Sequence, residues 1–464
     1  MYRKRDRNQI YIEDFIMPFG GKLKAENRWV KLSKIMPWDF IEDIYLKSMC
    51  LDNGAGAIKA RIAFGSLYIK ENENLTDEST VEYISENPYM QYFLGLQEFT
   101  SEALFDPSMM VHFRKRFPAE RIEEINKRMF LAQKKEKGPD SGDPPESPPN
   151  RGKLVLDATC APADIRYPSD LSLLNEAREN TEKIIEELWE HSSRQGRKTR
   201  YHRRKARGYY LRIAKQKRPK TVTLRKAIQR QLRYLQLNME DIGKLLMETG
   251  LEVLAEKRLA RLMVISKLLR QQRAMYAEKT HQCEDRIVSL RQPHIRPIVR
   301  GKAGKKYEFG QKLALSVVSG YTFIERQSYD NFNEGITLIE SVERYKTLYG
   351  FYPEVVQADQ IYRNKDNRAY CKKYNIRLSG PKLGRPGKDA QQDRQIEYRD
   401  RCERNIIEGR SGMAKRRYGL DLIMAYLPAT AMTEAALQVL CMNARIRLLF
   451  RFLLFWFSSE PVFT

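Results

Sequence analysis

Apolar and polar positions change their period along the chain, and the changes divide it. From Glu26 to Phe117 apolar residues recur at spacings of three and four between breaks at Pro37, Asn53-Gly54, Pro88 and Pro107, which predicts a set of short helices. Asp77-Glu78-Ser79-Thr80 supplies an acidic lead into one of them, near Val81. Residues 134–152 (KKEKGPDSGDPPESPPNRG) have no apolar pattern and read as a disordered linker. Leu154 to Thr159 (LVLDAT) is then a short apolar run broken by one carboxylate, as expected of a buried strand. Leu171 to about Leu290 returns to helical spacing, with Leu235, Ile242, Leu245, Leu254, Leu259 and Leu262 among its apolar positions and breaks near Gly208 and Pro219.

From Tyr307 the period becomes that of strands. YEFGQKLALSVVSG and YTFIERQSY flank Ser319-Gly320, a hairpin signal. Glu334 to Tyr349 reads as an amphipathic helix, Pro353 to Asp359 (PEVVQAD) as a strand, Asn367 to Tyr374 as a helix and Ile376 to Ser379 as a strand. This order describes an α/β domain split by a large helical insertion after its first strand and preceded by an all-α N-terminal domain. The expected divisions are a helical N-terminal domain (1–133), the linker (134–152), an α/β domain in two pieces (153–170 and 291–445), a basic helical or coiled-coil insertion (171–290) and an apolar C-terminal segment (446–464).

Charge narrows the class of partner. The 83 Lys and Arg against 59 Asp and Glu leave a net +24, which favours a polyanion. No apolar run reaches the roughly 18 residues of a membrane span, so no membrane partner is expected and nucleic acid leads. The run Arg194 to Lys220 is strongly basic, interleaves Tyr201, Tyr209 and Tyr210, and offers Arg203, Arg204 and Lys205 to phosphates through counterion release. The N-terminal helices, with Lys59 and Arg61 among apolar neighbours, fit either a module entering a DNA groove or a packing domain. Six scattered cysteines without a CxxC pair and five histidines without zinc spacing leave any metal to oxygen ligands.

Two carboxylates draw attention by position: Asp157 inside one expected strand, and Asp359 at the C-terminal end of another, where open α/β sheets place functional groups. A third stands on a helix. Arg401, Arg404, Glu408 and Lys415 lie at offsets of 3, 7 and 14, on one helical face, so that a carboxylate is flanked by cations. An exposed salt-bridged helix would show the Arg404–Glu408 spacing too, and Gly409 and Gly412 weaken helical propensity unless a close backbone approach needs them. Asp164, Asp170, Asp366, Glu397 and Glu403 are nearby acidic competitors, Glu403 the foremost. Lys382 to Lys388 (KLGRPGK) is a basic loop in which Lys382 and Arg385 are candidates to grip a phosphate backbone.

The blocks LVLDATCAPADIRYPSD, VVQADQIYRNKDNRAYC and RNIIEGRSGMAKRRYGL together resemble DDE transposases of bacterial insertion sequences, near the insertion sequence 5 family. The last block resembles their Y-x2-R-x3-E-x6-K signature, with Arg404, Glu408 and Lys415 in register and Arg401 standing where the signature has tyrosine. SLYIKENENLTDESTVEYISENPYMQYFLG resembles the domain that precedes the catalytic core in such enzymes. The resemblance implies a ribonuclease H-like core in which Asp157, Asp359 and Glu408 converge to hold two Mg²⁺ ions, with Mn²⁺ as a substitute. It implies cleavage and strand transfer by in-line displacement, with Arg404 and Lys415 positioning DNA. Terminal inverted repeats and target DNA would be the partners, a homodimer the plausible assembly for handling two ends, and the bacterial cytoplasm and nucleoid the location. The alternatives are an inactive transposase-derived nucleic-acid-binding protein and a metal-dependent nuclease that never joins.

Overall fold

The computed structural model describes residues 10–49, 56–136, 149–192, 203–299, 307–381 and 390–458. The basic loop with Lys382 and Arg385, Tyr201 and most of the expected linker (137–148) lie outside them. Of that linker, 134–136 close a helix, and 149–152 are held at the edge of a sheet, where the Asn150 amide donates to the carbonyls of Tyr374 and Asn375 at 2.7 and 3.0 Å.

The chain forms two compact units, 1–162 with 311–464, and 163–310. Among its described residues the first begins with two short 3-10 turns and seven α-helices: α1 (Arg28–Ile35), α2 (Trp38–Leu46), α3 (Ala60–Glu73), α4 (Asp77–Glu86), α5 (Pro88–Phe93), α6 (Met109–Arg116) and α7 (Ala119–Glu136). The α4 helix starts at Asp77, four residues before the expected point, because the Thr76 hydroxyl accepts from the Ser79 amide and caps it. Two cations stand at the start of α3. Lys59 is the N-cap residue of α3, a helix buried almost all round, and the Arg61 guanidinium donates to the carbonyls of Phe93 and Tyr92 and lies over the Trp38 ring. Burial lowers its pKa to about 9. The α3 helix is therefore a core helix, not a groove-reading one.

Strand β1 (Lys153–Pro162) follows, and the chain then leaves for the second unit: α8 (Asp170–Glu190), α9 (Arg203–Ala214), α10 (Thr221–Thr249), α11 (Glu256–Glu278) and β2 (Arg296–Val299). Here α8 lies along α10, and Leu171, Leu174, Leu235, Ile265 and Leu268 are shared core. The chain turns between α9 and α10 around Pro219, whereas Gly208 sits inside α9 without interrupting it. Residues 307–310, the start of β3 (Tyr307–Val318), pair antiparallel with β2.

Back in the first unit the chain forms β4 (Tyr321–Ser328), α12 (Leu338–Tyr349), β5 (Val355–Gln357), α13 (Lys365–Lys373), β6 (Arg377–Leu378), α14 (Ala390–Tyr418) and α15 (Pro428–Ser458). The β3–β4 hairpin turns at Ser319 (φ 49°) and Gly320 (φ 84°), the two positive φ values that a two-residue turn of matching twist needs. Its register slips between Ala314 and Leu315, and Glu325 is the extra residue. Along the sheet the order is β4-β3-β1-β5-β6, with β5 parallel to both β1 and β6.

Alternation along β1 sends Leu154 and Leu156 to one face, against Val342, Tyr345 and Tyr362. Val155 faces the other way, into a core built by the N-terminal helices together with α14 and α15. The N-terminal helices thus share one core with the sheet, and the apolar segment expected from 446 continues α15 without a break.

That core holds a carboxyl group. Burial pushes Glu123 on α7 up to about 7, against the pull of Lys127 and with a further push from Glu325. A raised carboxyl pKa makes the folded form the stronger proton binder, so this group favours folding below its unfolded pKa and loses that contribution as pH rises through about 7. Glu123→Gln is expected to raise the melting temperature more at about pH 8 than at about pH 5, measured by scanning calorimetry at the two pH values.

Candidate active site

The central strand of the sheet supplies the first site residue. Lys153, Val155 and Asp157 project to the same face of β1, the face that α14 crosses. Near the start of β1, Lys153 Nζ donates to both carboxylate oxygens of Glu403 at 2.7 Å, and Gln357 Nε2 on the neighbouring β5 donates to Glu403 Oε2 at 2.6 Å. One turn earlier, Asp400 receives Arg377 Nη2 at 2.9 Å and Gln357 Nε2 at 3.1 Å. These contacts fix the helix beside the strands. Moving from Lys153 to Asp157 climbs about 13 Å along the strand, and from Glu403 to Glu408 about 7.5 Å along the helix. Glu408 is thereby carried toward Asp157.

Asp157 is half-buried, and its carboxylate accepts from the Ala158 amide at 2.9 Å. Burial raises its pKa, the Ala158 bond and Arg404 pull it down, and Glu334 and Glu408 push it up. Asp359 follows β5 directly, caps the short helical turn Gln360–Tyr362 by accepting from the Gln360 amide at 2.8 Å, and is exposed. Arg404 Nη1 stands 3.3 Å from Asp359 Oδ1. Arg404 is therefore electrostatically engaged with both aspartates, one turn before Glu408 on the same helix.

The donors are all carboxylate oxygens, the chemistry of a hard divalent cation, and the mutual repulsion around Asp157 is what such a cation relieves. Among the described residues, no group of three His, Cys, Asp or Glu side chains is close enough to hold a metal ion. The structure brings Asp157 and Glu408 into electrostatic range and ties Asp359 to them through Arg404, without closing a ligand shell.

The remaining residues separate. Arg401 is exposed and lines a cleft with Asp359 and Arg404; Lys415 is half-buried two turns past Glu408. Arg203 pairs with Glu186 at 2.9 Å and with Glu182 at 3.5 Å in the second unit, where Arg204 and Lys205 are exposed. Of the tyrosines in the basic run, Tyr210 is buried and receives Arg166 Nη2 at 3.1 Å, and Tyr209 lies under Arg212 and Arg230, so neither presents an open ring for a base. Asp170 is taken by His281 and Arg286, and Glu403 by Lys153 and Gln357. Helix α14 runs unbroken through Gly409 and Gly412, and a Cβ at Gly409 would meet nothing within 4 Å, so no packing contact requires that glycine.

Sequence reasoning did not single out Glu334, which pairs with Lys312 at 2.9 Å and acts on both Asp157 and the buried Tyr362. Nor did it single out Arg363. Nothing in their spacing marks them, because each reaches the site through tertiary packing.

Comparison with known proteins bears on this region directly. Residues 356–445 match the family described as Transposase DDE domain, and residues 18–116 match Transposase domain (DUF772). A Rhizobium meliloti protein described as "Uncharacterized protein ORF8 in nfe locus" is 31% identical over 144 residues, a match spanning 31% of this chain and 66% of that protein, just under two thirds of its length. No solved structure matches significantly. The DDE match contains Asp359, Arg401, Arg404, Glu408 and Lys415, whereas Asp157 precedes it. One transposase model over the N-terminal helices and another over the stretch that starts in β5 and runs through α14 together indicate a DDE transposase of an insertion element.

Proposed function

We propose that this protein is a working transposase that binds the ends of its own element, cleaves DNA there and joins the freed 3′ ends to a target. The observation that carries the reading is the approach of three acidic positions from separate elements. Asp157 lies on the central strand, Asp359 directly follows its parallel neighbour, and Glu408 lies on the crossing helix, with Arg404 between the two aspartates. The strand order β4-β3-β1-β5-β6, with an antiparallel hairpin on one side and parallel strands on the other, supports a ribonuclease H-like core. The Arg404, Glu408 and Lys415 register supports placement near the insertion sequence 5 family.

Asp157, Asp359 and Glu408 would hold Mg²⁺, two ions in the full reading, which when bound supplies Lewis-acid activation of the nucleophile and charge neutralisation at the phosphate. The chain's own contribution is positional. Arg404 and Arg401 face the same cleft with cationic groups suited to phosphate oxygens, and Lys415 extends that helix face. The exposed Arg204 and Lys205, with the partly paired Arg203, would add sequence-independent contact, as would Lys382 and Arg385. End recognition falls to the N-terminal helices through surfaces other than α3, and two ends call for a homodimer. Among the described residues no helix is long and apolar enough to cross a membrane.

The test uses a labelled duplex carrying the inverted repeat found beside the coding region, a supercoiled target plasmid and Mg²⁺. Cleaved and joined products are expected. Cleavage without joining would favour the nuclease reading, and binding without cleavage the inactive one.

A further inference from the structure

Beside Asp359, a cleft runs between the short helical turn 360–362, the exit of β6 and α14. Arg363, Arg401 and Arg404 line it together with Asp359, Glu397 and Asp400, of which Asp400 is neutralised by Arg377 and Asp359 pairs with Arg404. Arg363 differs from the other two arginines, because its guanidinium is committed to the backbone. Nη1 donates to the carbonyls of Leu378, at 3.2 Å, and of Ser379, and Nη2 donates to that of Pro381 at 2.5 Å. Between those carbonyls Gly380 stands at φ 106°, and a Cβ there would meet Arg363 Cδ at 3.0 Å. From the other side, Ser379 is held by its amide bond to the Val356 carbonyl and by its hydroxyl, which receives the Ala358 amide at 3.0 Å. One side chain thus pins the segment 378–381, and that segment is a wall of the cleft.

We propose that Arg363 is a positioning residue for DNA. Its clamp on 378–381 keeps the cleft in the shape that admits one backbone phosphate against Arg401 and Arg404, next to Asp359. This rests on the reading of the site as a DNA-processing one. A planar guanidinium with several donors in a fixed fork can hold three carbonyls together, and a lysine ammonium cannot reproduce that geometry. The carbonyls it occupies would otherwise present negative dipoles to the phosphate's path. With them turned to Arg363, the phosphate meets the two arginines of α14.

The experiment is a double-mutant cycle on the full-length protein, reading affinity for the fluorescent end duplex by anisotropy across a salt series in Ca²⁺. Arg363→Ala and Arg401→Ala are each expected to weaken binding about tenfold and to lower the slope of log K against log salt by about one. The double variant should be little worse than either, since both losses empty the same phosphate position. Arg363→Lys retains the charge without the fork and should match Arg363→Ala, which separates positioning from simple electrostatics and stands in should the alanine variant not fold. Additive losses, an unchanged salt slope for Arg363→Ala, or wild-type binding by Arg363→Lys would overturn the proposal. Failure of the wild-type protein to bind the duplex would instead overturn the functional reading beneath it.

Discussion

Asp157→Asn is expected to lower Mg²⁺-dependent cleavage of an element end by on the order of a thousandfold or more while raising the melting temperature. The two effects have one cause. Burial and the neighbouring Glu334 and Glu408 make an ionised Asp157 costly, and its pKa is raised accordingly. A carboxyl with a raised folded-state pKa stabilises the fold below its unfolded pKa and loses that contribution as pH rises through the folded value, so at neutral pH the ionised group destabilises the protein. The amide has nearly the same shape, carries no charge and keeps an oxygen for the Ala158 amide. It also removes a cation ligand. Timed gel assays of the labelled duplex and calorimetry at neutral pH read both effects, and a variant that cuts normally or melts lower would count against the assignment.

A second large effect is expected far from the chemistry. Asn443 on α15 is fully buried and joins three elements: its Nδ2 donates to Asn126 Oδ1 on α7 at 2.7 Å and to the Thr322 carbonyl on β4 at 2.6 Å, and its Oδ1 accepts from the Thr322 amide at 2.9 Å. Asn443→Ala leaves the Thr322 amide without that acceptor and the Asn126 side chain without its donor, a loss of about 2–4 kcal/mol in unfolding free energy. Because the same residues tie the N-terminal helices to the sheet, the N-terminal helices and the sheet should lose structure together. Urea unfolding followed by the fluorescence of Trp29 and Trp38 on α1 and α2, with Trp189 and Trp456 replaced by phenylalanine, and by hydrogen exchange of the β3 and β4 amides should show both probes shifted equally. A change below about 0.5 kcal/mol, or transitions that separate, would contradict this picture.

Elements with a local cause were legible in the chain. Ser319-Gly320 fixes its hairpin through backbone conformations that few other pairs adopt, and the apolar runs around Asp157 and before Asp359 read as strands because strand period and length are local properties. The helical offsets of Arg401, Arg404, Glu408 and Lys415 survive as one unbroken α14. Roles set by packing across the chain were not legible. The segment with Lys59 and Arg61 fits a groove-entering module as well as a packing domain until α3 is seen at the centre of a core, and Tyr210 looks like a stacking ring until it is found inside the second unit. Glu403 competes with Glu408 in one dimension, and only the folded chain shows its carboxylate accepting from Lys153, 250 positions away. Glu334 and Arg363 carry no motif at all, since their importance lies in what tertiary packing sets beside them.

We propose that Glu408, and not its neighbour Glu403 on the same helix, completes the acidic site with Asp157 and Asp359. The most direct measurement is Mg²⁺-dependent cleavage of the end duplex by Glu408→Gln and Glu403→Gln, side by side and at equal DNA occupancy. Glu408→Gln is predicted to be inactive, while Glu403→Gln, having lost only its bond with Lys153 and weakened that with Gln357, retains cleavage within about threefold of wild type. An active Glu408→Gln beside an inactive Glu403→Gln would contradict the assignment of Glu408.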